Sequence, residues 1–199
     1  MGYKRSILSG VGRLLPVLLA LGLAACSQRA MIDAISTPEE RAFAFGVVEK
    51  MRAGDLSGLE PLFDRAAWQG SRPLLPRAPA EYPRAAGSTD LVGYHFNRNV
   101  ALGGGGSARD ATMFVLMTTD GARWTRTTIQ TVATNGGSPL IVAWNVHGTD
   151  QVPDDYRQYL ATERMIPWFR AVAVGLVVAI AAAGFWFVRR RRMRKSEGL

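Results

Sequence analysis

Few residues of this 199-residue chain belong to types that do chemistry. Cys26 is the single cysteine, and His95 and His147 are the two histidines. Around them, Tyr94, Asp64, Asp90 and Asp110 complete the acid–base groups worth weighing in the middle of the chain. One thiol excludes an intramolecular disulfide framework and any multi-cysteine metal site. The two histidines offer no metal-ligand spacing. There is no nucleophile elbow and no triad-like grouping. Gly103-Gly104-Gly105-Gly106 is the one glycine-rich loop. It lacks the following Lys-Ser/Thr and the helix start that a phosphate site needs, so it reads as a flexible hairpin connection. No metal and no cofactor are expected.

The elements that must position these residues lie between two apolar segments. Thr37-Pro38-Glu39-Glu40 opens a helix, with Thr37 as cap, Pro38 at the first helical position and Glu40 closing a capping box. Phe43, Val47 and Met51 then recur every four residues, and Gly54-Asp55 ends this helix and starts a second one. Residues 69–88 read as loop, because Pro73, Pro76, Pro79 and Pro83 interrupt them. The first three prolines are spaced as in a polyproline II helix, which makes the segment either a stiff connector or a ligand for an aromatic groove.

Four strands follow. Val92, Tyr94, Phe96 and Val100 alternate with polar residues, which points His95 away from the apolar face. Residues 111–119 are apolar on both faces, as in a central strand. Asp120-Gly121 marks a hairpin, 124–134 is threonine-rich, Asn135-Gly136-Gly137 turns again, and 140–147 is the last strand. Parity in that strand puts His147 on the face of Ile141 and Ala143, at the strand's end. Tyr94, Asp110 and His147 are the candidate residues for a cavity on the concave face of the sheet. Helices followed by an antiparallel meander make an α+β domain, expected over 37–150.

Charge bounds the partners. The net charge is +8. The excess sits in the first 25 residues (Lys4, Arg5, Arg13) and after residue 188 (Arg189, Arg190, Arg191, Arg192, Arg194, Lys195). Residues 26–188 carry equal numbers of acidic and basic groups. A nucleic-acid binder needs its positive charge on the surface that meets phosphate, so no nucleic acid is expected.

The two charged ends flank apolar runs. Residues 14–25 form a stretch about 18 Å long as a helix, too short for a hydrocarbon core of roughly 30 Å. A basic start, a short apolar run and small residues at its end describe a signal peptide over 1–25. Leu23-Ala24-Ala25-Cys26 resembles the lipobox of bacterial lipoproteins. That resemblance implies diacylglyceryl transfer to the Cys26 sulfur, cleavage before Cys26 and acylation, with palmitate for instance, of the new amino terminus. Residues 26–36 are then a tether.

Residues 171–188 are uncharged, with Trp168 and Phe169 before them and Phe185, Trp186 and Phe187 at their end. Aromatics at both edges and the basic cluster just beyond describe a transmembrane helix over 168–188 with a cytoplasmic tail over 189–199. Residues 151–167 form a short juxtamembrane helix and linker, and the main domain faces the periplasm. Lipid and helix are expected to share the inner membrane, because short tethers do not cross an envelope compartment. Ala171, Gly175, Ala179 and Ala183 form a small-residue ridge suited to close helix packing, against a second copy or another membrane protein.

The order of elements, with the phrase 43–51, Ala53-Gly54-Asp55, 59–64, resembles the cystatin-like α+β superfamily, including nuclear-transport-factor-like and SnoaL-like domains. The resemblance implies a helical hairpin packed in the concavity of a curved antiparallel sheet over about 37–148. That family contains both enzymes and binding modules, so fold alone does not choose between them. The residues favour a non-catalytic accessory or assembly subunit of a membrane complex. A small-ligand or enzymatic domain, and a passive lipoprotein, are the alternatives.

Overall fold

The computed structural model describes residues 27–85, 87–100 and 108–196. The signal segment, Cys26 and the Gly103–Gly106 loop lie outside the described residues. Residues Gln28–Leu160 form one unit of the chain, and Ala161 onward belongs to a second. The first unit is α+β, as the order of elements predicts. Its elements are α1 (Gln28–Ile35), α2 (Pro38–Ala53), α3 (Leu56–Leu59), a 3-10 turn (Glu60–Leu62), α4 (Arg65–Ser71) and a 3-10 segment (Leu75–Glu81). Strands β1 (Ser88–Val100), β2 (Ala108–Thr119), β3 (Trp124–Thr134) and β4 (Leu140–Thr149) follow, and α5 (Asp154–Ser196) ends the described chain.

Capping fixes α2 as the sequence predicts. Thr37 accepts from the Glu40 amide, and the Glu40 carboxylate accepts from the Thr37 amide. At the other end Gly54 adopts φ +69°, a left-handed conformation that costs glycine least. Asp55 then caps α3, accepting from the Gly58 amide. The joint turns the chain so that α2 and the residues after it share a core. Val47, Val48 and Met51 meet Leu59, Phe63, Leu75 and Tyr82 there, over Leu91, Tyr94, Phe114, Leu116, Ile129 and Ile141 of the sheet.

The sheet is an antiparallel meander in the order β1-β2-β3-β4. Two single-residue bulges break its alternation, one on each edge strand. On β1, Leu91 pairs with Leu116 and Gly93 with Val115, leaving Val92 as the extra residue. On β4, Ile141 pairs with Thr131 and Ala143 with Gln130, leaving Val142 extra. A bulge shifts the inside–outside parity of everything beyond it. Val92 therefore does not share the face of Tyr94, as simple alternation predicts. It joins Val115, Met117, Tyr156 and Tyr159 in a second apolar cluster. The glycine beside the bulge is tightly placed, since a Cβ on Gly93 would lie 3.1 Å from the Val115 Cβ.

Both edges of the sheet have neighbours. The Asp64 amide donates to the Ile141 carbonyl at 2.9 Å, and Phe63 forms an isolated parallel bridge to Ile141. At β1, the Gln28 side chain donates to the Val92 carbonyl at 2.5 Å. Such cover limits strand-to-strand association.

Three sequence expectations change here. The tether expected over 26–36 is mostly helix α1. The proline-rich loop is not extended: α4 runs to Ser71, and Leu75–Glu81 is a 3-10 segment with proline near its start and Pro79 inside. A 3-10 turn tolerates proline where the missing amide has no partner to lose. Leu75, Ala78 and Tyr82 are buried, so the prolines serve a packed strap. Lastly, the juxtamembrane and transmembrane helices expected as separate pieces are one helix, α5, with Pro167 inside it.

Candidate functional site

The candidate site lies on the helix-covered face of the sheet. Beyond the β1 bulge, Tyr94, Phe96 and Arg98 pair across with Phe114, Thr112 and Asp110. These pairs place an acid, a base and three aromatic rings in one row. Glu40 and Phe43 come from the first turns of α2, and Thr131, Ala133, Gly136, Gly137 and Pro139 from the β3–β4 hairpin. Together with Phe96, Asp110, Thr112 and Phe114 they line an open groove of about 250 Å³.

The polar groups at this groove are mutually engaged. The Tyr94 hydroxyl donates to Glu40 Oε1 at 3.0 Å. The same carboxylate caps α2 through Oε2, so one side chain fixes the helix start and ties it to the sheet. Burial, reinforced by that carboxylate, pushes the Tyr94 phenol up to about 12. Asp110 receives a bidentate pair from Arg98, with distances of 2.7 and 2.8 Å. That hydrogen-bonded guanidinium holds the Asp110 carboxyl below its ordinary value and raises that of Arg98. Arg98 also lies over the Phe96 ring, 5.8 Å from its centroid. A general acid or base needs a lone pair or proton free for substrate. The Tyr94 proton is committed to Glu40, and each Asp110 oxygen already accepts one bond from Arg98.

His147 does not join them. The bulge at Val142 reverses its parity, so it faces away from Ile141, opposite the expectation from counting residues. It lines a second, outer depression of about 300 Å³ with Arg126, Thr149, Val152 and Arg157. Two of its basic neighbours are paired: Arg126 with Asp155 at 3.2 Å, and Arg157 with Asp154 at 3.3 Å. His95 is exposed on that same outer face, as expected from its alternation with Tyr94. Asp64 caps α4, accepting from the Ala66 and Ala67 amides, and Asp90 accepts from the Tyr156 hydroxyl at 3.1 Å. Both therefore have structural work. Among the described residues no group of three His, Cys, Asp or Glu side chains could hold a metal ion.

Reading the sequence alone misses Glu40, Phe43 and Phe96 as groove residues, and Arg98 as the partner of Asp110. Glu40 carries a signal, but the capping box absorbs it. Arg98 stands opposite Asp110 only once the β1–β2 register is known.

The small-residue ridge lies on α5, which is long and apolar enough to cross a membrane. Trp168, Val174, Val178 and Phe185 are among its exposed large apolar side chains. A Cβ added at Gly175 would meet no heavy atom within 4 Å. Compared with known proteins, the chain matches no family model, no curated protein and no solved structure.

Proposed function

We propose that the protein is an envelope lipoprotein anchored twice in one membrane, and that it serves as a non-catalytic accessory or assembly subunit of a complex there. The observation that carries the reading is α5. Tyr156 and Tyr159, in its first turns, are buried in the apolar cluster of the globular unit, and the same helix continues into the apolar stretch. A domain whose last helix runs on into its own anchor suits a scaffold or docking role. The basic residues after 188 support a cytoplasmic C-terminus, with Gln28–Leu160 on the periplasmic side. The lipobox at Cys26 supports acylation, and the engaged state of Tyr94 and Asp110 favours a binding role over a catalytic one.

The test is extraction of native membranes in mild detergent, with capture through a tag on the C-terminal tail. The expected result is a mature chain beginning at acylated Cys26 and a stoichiometric membrane-protein partner. A chain that emerges alone and monomeric refutes the accessory-subunit reading. Recovery of the acylated protein in outer-membrane fractions refutes the shared membrane. The groove of about 250 Å³ favours a second reading, a small-ligand module. In that case Asp110→Asn weakens ligand binding without unfolding the domain.

A further inference from the structure

The helix that replaces the expected tether has an unusual outer face. In α1, Ile32 is 5% exposed and enters the main core, while Met31 and Ile35 are 56% and 61% exposed. At 100° per residue, Ala34, Met31 and Ile35 fall within an arc of about 100°. No charged residue lies in that arc. Arg29 and Asp33 lie on the far side, and Asp33 pairs with Arg41 of α2 at 3.6 Å.

The helix is also firmly docked. The Ser36 hydroxyl donates to the Ile32 carbonyl at 2.6 Å, and the Arg41 guanidinium donates to the Ser36 carbonyl at 2.7 Å. Gln28 is fixed to β1 at the other end. The exposed apolar face is thus held outward by its own domain.

What covers it follows from position in the chain. Gln28 is two residues after Cys26, at most about 7 Å of extended backbone. If Cys26 is acylated, α1 starts at the lipid headgroups. We propose that the Ala34, Met31 and Ile35 face of α1 rests in the interfacial layer of the membrane, as a third contact that sets the orientation of the domain. This rests on the lipoprotein reading given above. A face of three side chains is far smaller than the roughly 1,200 Å² that a stable protein interface buries, so a second copy is a poor occupant. A lipid surface asks for less, because the tethers already hold the helix beside it at high effective concentration.

The experiment uses the full chain reconstituted in phosphatidylglycerol/phosphatidylethanolamine vesicles, with an environment-sensitive fluorophore on a single added cysteine. Ala34→Cys reports the proposed contact, and Asn145→Cys, exposed on β4, is the reference. Quenching by lipids carrying a nitroxide near the headgroup is expected to be several-fold stronger at 34 than at 145. Adding Met31→Asp and Ile35→Asp to the Ala34→Cys chain should abolish that difference, while circular dichroism confirms the fold. The mass of the mature N-terminus is measured on the same samples. An acylated chain with equal, weak quenching at 34 and 145 overturns the inference and leaves the lipoprotein reading standing. If Cys26 carries no lipid, the acyl anchor is refuted and the comparison is repeated in the Cys26→Ser chain, where strong quenching at 34 supports the membrane contact and weak quenching overturns it. A label at 34 shielded from both lipid and aqueous quenchers means a protein surface covers α1, which also overturns the inference.

Discussion

The strap between α4 and β1 offers the sharpest test of the packing argument. Tyr82 ends the 3-10 segment Leu75–Glu81 with its ring 2% exposed. Its hydroxyl shares a hydrogen bond of 2.8 Å with the Thr127 hydroxyl, and Thr127 is fully buried. Beside them, the Thr125 hydroxyl donates to the Glu81 carbonyl and the Gly148 amide donates to the Glu81 carboxylate. Tyr82→Phe keeps the ring but leaves the Thr127 hydroxyl buried without that partner. An orphaned buried polar group costs about 1–3 kcal/mol, whereas removing both partners is nearly neutral. Thr127→Val should cost a similar amount, because it strands the Tyr82 hydroxyl instead. The double variant should then be no less stable than the worse single one, giving a favourable coupling of about 1–2 kcal/mol. Urea unfolding of the full chain in mild detergent, followed by tryptophan fluorescence, measures all four corners of the cycle. Additive costs, or a Tyr82→Phe chain as stable as the parent, would refute the reasoning. The strap would then be loosely held, and Pro73, Pro76 and Pro79 would again be available as an extended ligand for a groove.

Other outcomes follow from the same geometry. Gly148→Ala places a Cβ 2.4 Å from the Glu81 carbonyl oxygen, so it should destabilise by about 1–3 kcal/mol in urea unfolding. Gly46→Ala, in the middle of α2 with no heavy atom within 4 Å of the added carbon, should instead stabilise by about 0.5–1 kcal/mol. The Tyr82 and Tyr94 phenols are both pushed up to about 12, from an ordinary value of 10.0. The unfolded chain therefore loses these protons first, and stability should be complete below pH 10 and fall as pH rises from 10 towards 12. Unfolding midpoints across that range should decline less steeply in Tyr82→Phe than in the parent. Gly175→Ile fills the open space on the α5 ridge and should reduce the oligomer size seen by light scattering in detergent. An unchanged mass would exclude pairing through that face.

Much of the fold was legible because local signals agree with one another. Thr37, Pro38 and Glu40 mark one helix start in three independent ways, and Gly54-Asp55 closes one helix while capping the next. Asp120-Gly121 and Asn135-Gly136 stand in the turns that separate β2, β3 and β4. Helix α1 was hidden because it spans only eight residues, too few for an apolar period to stand out. The proline strap was hidden for a different reason. Proline excludes an α-helix interior and a central strand, but not a short 3-10 segment whose burial is decided by Thr125 and Thr127, more than forty residues away.

The candidate site turns on the two bulges, which no alternation count foresees. Each adds one residue to an edge strand and leaves the apolar pattern plausible in either register. Counting by two, Val92 and Tyr94 share a face, and so do Ile141, Ala143 and His147. The extra residues at Val92 and Val142 separate both sets. On β1 the bulge frees Val92 to pack under Tyr156 and Tyr159 while Tyr94 still reaches Glu40. One strand thus serves both the core beneath α2 and the seat of α5. On β4 the bulge lets Ile141 and Trp144 both face inward, with the Trp144 indole donating to the Ser71 hydroxyl at 2.8 Å, and it turns His147 out of the groove. The groove is left with two acids, each already bound to a partner. The β1 bulge seats the start of α5 against the sheet, and the separate bulge on β4 turns away the histidine that counting by two places on the face of Tyr94 and Asp110.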